Sequence, residues 1–319
     1  MAKVICPDDW MIAPCTCGGS GIDCSAVESD EQLAKVFQHA FPSPFIDGSF
    51  KLLQNSNIKV LRSGVFGEIY FTDFDIEQNP SLVFIEEGVI LNSDVACETM
   101  NLQKNNLNSF PFYELAPFIN LTILELGDNN LTSWPLFPAM DSLKSLTLSG
   151  NPLPTDMPSG VFQPLYNLEN IYLHNLKLTT IAPGTFDNLW KLNVVMLSSG
   201  NHFKSLPAGL FNSRSPRLSW LDFWGNDIQD VDQHAFPVLN QGYTINLHNN
   251  KMSILKEGVW RPLMENGVEL RLIGNPLECD CGMAWLITDG NMMGKIETGS
   301  TCSTGQEIHS LNPEDFIDC

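Results

Sequence analysis

Residues 121–131 read Leu-Thr-Ile-Leu-Glu-Leu-Gly-Asp-Asn-Asn-Leu. Residues 143–153 repeat the pattern as Leu-Lys-Ser-Leu-Thr-Leu-Ser-Gly-Asn-Pro-Leu, and residues 218–228 as Leu-Ser-Trp-Leu-Asp-Phe-Trp-Gly-Asn-Asp-Ile. In each copy, apolar side chains hold the first, fourth, sixth and eleventh places and asparagine the ninth. Weaker copies place Cys97, Met100, Leu102, Asn105 and Leu107 in the same frame, then Ile245, Leu247, Asn250 and Met252, then Leu270, Leu272, Asn275 and Leu277. Two copies degrade: Leu168/Ile171/Leu173 has Leu176 where asparagine belongs, and Leu192/Val195/Leu197 carries one residue too many before Asn201. Upstream, Phe50/Leu52/Asn55 and Phe71/Phe74/Ile76/Asn79 read as divergent early copies.

This period and pattern are those of the leucine-rich repeat, and the spacing predicts about ten stacked turns. The expected fold is an α/β repeat: a curved solenoid with parallel β-strands on its concave face. Alternate apolar residues of each short strand point inward, and each asparagine satisfies backbone groups of the following turn. A second column, Phe66, Phe162, Phe186, Phe211, Phe236 and Trp260, follows glycine by two places at all but one position, where His234 stands instead. That column reads as a stacked core on the far side of the strands.

A solenoid has two open ends, and eight of the nine cysteines lie there: Cys6, Cys15, Cys17 and Cys24, and Cys279, Cys281, Cys302 and Cys319. Neither group has the spacing or the histidines of a zinc site, so two disulfides per end are expected. Spacing alone leaves their connectivity open. Disulfides place the protein in an oxidising compartment, hence secreted, with a leader absent from this chain because residues 1–20 hold no apolar run. Ninth is Cys97, at the first inward position of its repeat and therefore read as a buried, inert free thiol. Glycosylation sequons stand at Asn120 and Asn130. The expected division is a cysteine-rich cap over 1–48, repeats over 49–274 and a second cap over 275–319. In the first cap, Ser29 to Pro42 predicts a short amphipathic helix with a Ser29/Gln32 capping box and the stripe Leu33, Val36, Phe37, Ala40.

The chain has 319 residues and a formal net charge of −20. Without a cluster of Lys and Arg, nucleic-acid binding is excluded as a function, and partners should be neutral or basic. The two ends, 1–50 and 275–319, hold 15 of the 37 acidic side chains and 3 of the 17 basic ones, which reads as solvated caps. No run of apolar residues is long enough to span a membrane. Nucleophile elbows, zinc-protease helices, phosphate loops and dinucleotide fingerprints are all missing, so no catalytic residue, metal or cofactor is assigned. Asp227, Asp230 and Asp232 read as a solvated turn, since hard cations need more oxygens in one loop.

Function is then expected on the surface. Strand alternation puts Asn170, Tyr172 and His174 on the concave side, then Val194, Met196 and Ser198, then Trp220, Asp222 and Trp224, then Thr244, Asn246 and His248. From these, Tyr172, His174, Met196, Trp220, Asp222, Trp224, Asn246 and His248 are the candidate partner-binding patch, because large aromatics anchor protein interfaces. His174 and His248 stand three strands apart and do not share a metal ion.

The ends resemble those of extracellular leucine-rich-repeat caps, which implies the pairing Cys6–Cys17, Cys15–Cys24, Cys279–Cys302 and Cys281–Cys319. More specifically, Cys6-Pro-Asp-Asp9, Pro14-Cys-Thr-Cys17, Asp23-Cys-Ser25, the helix to Phe41-Pro42, and Asn312-Pro-Glu-Asp-Phe316 before Cys319 resemble the family of the non-catalytic leucine-rich-repeat subunit of Oplophorus luciferase. The resemblance covers essentially the whole chain. It implies a secreted complex in which a small separate subunit oxidises coelenterazine while this one supports it, with no catalytic residue to carry over. The other function weighed is that of a secreted recognition protein in innate immunity or signalling.

Overall fold

The computed structural model describes residues 6–38, 45–212, 214–239 and 241–319. The chain forms two compact units, Met1–Pro154 and Thr155–Cys319, each a stack of parallel turns.

In the first unit, an antiparallel hairpin, Thr16–Gly18 with Gly21–Asp23, starts the sheet. Gly21–Asp23 then pairs in parallel with Phe45–Leu53, followed by Tyr70–Glu77, Thr99–Asn101, Ile123–Glu125 and Ser145–Thr147. The early copies, divergent in sequence, make the longest strands of the unit. Their core is aromatic: the Phe50, Phe66, Phe71 and Phe74 rings lie 4.6–6.5 Å from one another in tilted and edge-on pairs.

The cap helix runs Asp30–Val36, and the Ser29 side chain accepts from the Gln32 N–H. Gln32 reaches back one residue further than a capping box does, accepting from the Glu28 N–H at 2.6 Å. Leu33, Val36 and Phe37 are buried; Phe37 sits edge-on to Phe66 at 5.6 Å and thereby closes the first turn. Ala40 and the Phe41-Pro42 end of the expected helix lie outside the described residues.

The second unit stacks Asn170–Tyr172, Val194–Met196, Trp220–Asp222, Thr244–Asn246 and Glu269–Arg271 in parallel. Behind them Phe162, Phe186, Phe211 and Phe236 form a column of near-parallel rings with centroids 4.6–6.1 Å apart. Gly184 and Gly209 adopt φ of 80° and 70°, a region that costs a side-chain-bearing residue energy, which explains glycine two places before the ring. Trp260 continues the column from a helix, Glu257–Glu265. Gly258 lies in that helix with no positive φ, so the last copy reaches the same packing by a different backbone.

Asparagines interlock the turns. The Asn129 amide donates to Leu102 and Leu126 carbonyls while its oxygen accepts from the Leu107 N–H. Asn201 does this twice over, accepting from both Leu176 and Leu178 and donating to Leu173 and Leu197. It thereby serves the repeat where Leu176 replaces the asparagine. The extra residue ahead of it is absorbed by Ser199 and Gly200 at φ of 36° and 75°.

Cys6–Cys17, Cys15–Cys24, Cys279–Cys302 and Cys281–Cys319 are bonded. Cys97 is buried as a free thiol, 3.5 Å from the Thr99 carbonyl, and burial pushes its ionisation far above the ordinary thiol range. At the far end Trp285 and Leu286 are buried, the Trp285 indole donating to the Leu255 carbonyl and lying under Arg261. Among the described residues no helix is long and apolar enough to cross a membrane.

Candidate partner-binding face

Strand register arranges the sheet face of the second unit in rows. One row holds Val194, Trp220 and Thr244; the next holds Tyr172, Met196, Asp222, Asn246 and Arg271. All but the last were expected from alternation. Arg271 belongs to the weak copy Leu270/Leu272, and applying the same offsets there would have found it.

The structure corrects the expected patch in three places. Trp220 is half-buried because the Arg271 guanidinium lies 4.8 Å from its ring centroid, a cation–π contact. Asp222 and Asn246 are buried. Asp222 organises the face beneath it: its carboxylate accepts from the Trp224 N–H at 2.9 Å, the Asn246 amide at 3.1 Å and the Trp220 indole at 3.4 Å. Finally, His248 is engaged by the Glu297 carboxylate, which also accepts from the Leu272 N–H. Glu297 arrives on the segment that bridges Leu270 to Ile296, so the second cap takes His248 from the free surface.

What stays accessible is Trp224 and Ile273, each 39% exposed, with Tyr172 and Met196 half-buried and His174 exposed beside them. The Trp224 backbone is fixed through its N–H on Asp222, and an aromatic side chain with two rotatable bonds loses little entropy when a partner covers it.

The first unit presents a face of opposite character. Asp23, Lys51, Asp75, Asn101, Glu125 and Thr147 form one row, with Asp73 and Glu77 flanking Asp75 on its strand. Five carboxylates thus face one lysine. The sequence had located acid at the two ends of the chain; this third concentration emerges only when register stacks residues from distant turns. Burial, and then the neighbouring Glu77, hold the Asp75 carboxyl above the usual range, against Lys51 and an Asn101 hydrogen bond. A raised folded value costs nothing below the ordinary unfolded range, begins to penalise folding as pH rises through that range, and does so in full above the folded value. Asp75→Asn is therefore expected to stabilise the protein at pH 7 by under about 1 kcal/mol, with the gain vanishing as pH falls below the ordinary carboxylate range. Thermal denaturation from pH 3 to 7 checks this.

A leucine-rich-repeat family model matches residues 141–203. Over 98% of this chain and 88% of the relative, the sequence is 35% identical to the Oplophorus-luciferin 2-monooxygenase non-catalytic subunit of Oplophorus gracilirostris. The chain belongs to that subunit's leucine-rich-repeat family. Membership extends through both caps, in keeping with the end motifs, and the relative is itself named as non-catalytic. Nephrocan of Mus musculus is 31% identical over 51% of this chain, which spans 30% of nephrocan's own length. Among solved structures, a chain in an octameric complex of Latrophilin 3, Unc5D and FLRT2 matches 98% of this chain and 100% of its own with a TM-score of 0.60 at 21% identity, a likeness of fold alone.

Proposed function

We propose that this chain is the non-catalytic accessory subunit of a secreted, coelenterazine-oxidising luciferase complex, binding and stabilising a small catalytic subunit. The observation that carries the reading is the family relationship through the full length of the chain, caps included. Secretion accords with four disulfides, and the exposed Asn120 and Asn130 are its glycosylation sites.

The partner docks on the sheet face of the second unit, with Trp224 as anchor, Tyr172, His174 and Met196 around it, and Trp220, Asp222, Asn246 and His248 as the framework that holds the anchor in place. The acidic face of the first unit favours a partner that is basic or neutral over one that shares its charge. No step of the oxidation is assigned to this chain.

The test is association with the co-expressed small subunit. Trp224→Ala with Met196→Ala is expected to weaken it by at least about 30-fold, the effect of losing a central aromatic anchor, while leaving the circular dichroism spectrum and melting temperature unchanged. Unaltered affinity would place the interface elsewhere. Capture of glycans or unrelated proteins, without a light-emitting subunit, would move the reading to extracellular recognition.

A further inference from the structure

The edge of the second unit where the chain enters each strand differs in charge from the rest of this acidic protein. Trp190 stands there 57% exposed, four residues ahead of the strand Val194–Met196, as Pro216 stands four residues ahead of the neighbouring strand Trp220–Asp222. Around them lie Lys191, Arg214 and Arg217, with Glu169 as the counter-charge, 3.5 Å from Arg217. Lys191 and Arg214 are exposed and have no ion-pair partner among the described residues. Arg214 and Pro216 join Val238, Leu239 and Gln241 in lining an open cavity of about 430 Å³. The site therefore offers apolar walls for one or two side chains and cations at the rim for carboxylates.

The same unit carries a segment of matching chemistry. Residues 314–318 read Glu-Asp-Phe-Ile-Asp; Ile317 is 71% exposed, and Glu314, Asp315 and Asp318 are exposed around it. The segment is presented by a 3-10 turn, Pro313–Phe316, capped by Asn312, and it is tethered through Cys319 to Cys281. Fixing the segment in this way lowers the entropy lost on docking.

We propose that the acidic turn 314–318 of one copy seats in this edge cavity of a second copy, Ile317 entering between Pro216 and Val238 while Asp315 and its neighbours meet Arg214 and Lys191. Turn and cavity are different surfaces of one chain, so the contact is either made twice about a two-fold axis, closing a dimer, or repeated head-to-tail into a ring or a chain. Mutual repulsion of two molecules of charge −20 opposes it at low salt. At about 0.15 M that repulsion is screened beyond roughly 8 Å, whereas the partly buried contact is screened less. An anionic lipid surface is disfavoured as occupant by the same net charge, and a glycan would leave the apolar walls unfilled. The inference is independent of the accessory-subunit reading, because it uses a different surface.

Sedimentation velocity on the full chain from low micromolar to submillimolar concentration, at about 0.15 M salt, tests it. Concentration-dependent association is expected, weakened at least tenfold by Arg214→Glu and by Asp315→Lys separately, and restored when those two variants are mixed, since each then supplies the charge the other lacks. Both positions are exposed, so neither variant should fail to fold. A monomer throughout, association indifferent to Arg214→Glu, or no recovery on mixing would overturn the proposal. So would a monomeric chain that binds a synthetic acidic peptide at Arg214, which would give the edge to a different protein.

Discussion

Asn201→Ala is expected to destabilise the second unit by about 4 kcal/mol or more. Three buried backbone groups depend on this one side chain, the N–H groups of Leu176 and Leu178 and the carbonyl of Leu173, while the Leu197 carbonyl is shared with the Asn226 amide. Alanine leaves those three groups without a partner, and only the Leu197 carbonyl keeps one, the Asn226 amide. A buried polar group without a partner costs about 1–3 kcal/mol, so partial relaxation still leaves a sum near the figure given. The neighbouring repeat has no asparagine of its own at Leu176, so Asn201 should be less replaceable than Asn250. His202→Ala is the control. That side chain is exposed and touches Asp227 at 3.2 Å, and its loss should cost under about 1 kcal/mol. Denaturant unfolding of Asn201→Ala, Asn250→Ala and His202→Ala, with hydrogen exchange at Leu176 and Leu178, measures both size and location.

Phe186→Ala should cost about 3–5 kcal/mol, the range for deleting a fully buried aromatic. Its ring lies 4.6 Å from Phe211 and 6.0 Å from Phe162, nearly parallel to both. Removing it breaks the column in the middle, leaving Phe162 and Phe211 to face a void while Phe211 keeps Phe236 on its other side. In a repeat protein each turn is stabilised by the turns beside it, so the damage should spread to both adjacent repeats. Phe186→Leu conserves most of the volume and should cost under about 1.5 kcal/mol. Similar losses for Ala and Leu would mean that the ring contributes something other than packing.

These two sites mark how much of the fold the sequence disclosed. The inward leucines, the asparagines and the phenylalanine column are each bound to a position by one requirement, an apolar contact or a backbone hydrogen bond, repeated every turn. A period of that kind is visible without coordinates. Cys97 was legible for the same reason, because its frame position alone declares it buried. Trp260 was legible as packing but not as backbone: the column position is kept while the local chain becomes the helix Glu257–Glu265.

The candidate site was less legible. Alternation placed Tyr172, Met196, Asp222 and Asn246 on the sheet face but says nothing of what covers a face residue. Arg271 over Trp220, and Glu297 on His248, come from later segments 51 and 49 residues away in sequence. Asp222, read from the sequence as part of the accessible patch, is instead a buried acceptor for N–H groups of Trp220 and Trp224. The acidic row of the first unit went unseen because most of its charges, Asp23, Lys51, Asp73, Asp75 and Glu77, sit in the first cap and the divergent copies, where the leucine pattern that sets the frame is weakest.

The most direct measurement is affinity capture of the full chain from native secretion or co-expression, with mass spectrometry and a coelenterazine light assay on the eluate. A stoichiometric small subunit that emits light, and that loses activity faster once this chain is removed, is the expected result. A chain eluting alone or with proteins that emit no light, or light from the purified chain by itself, would contradict the assignment of a non-catalytic accessory subunit.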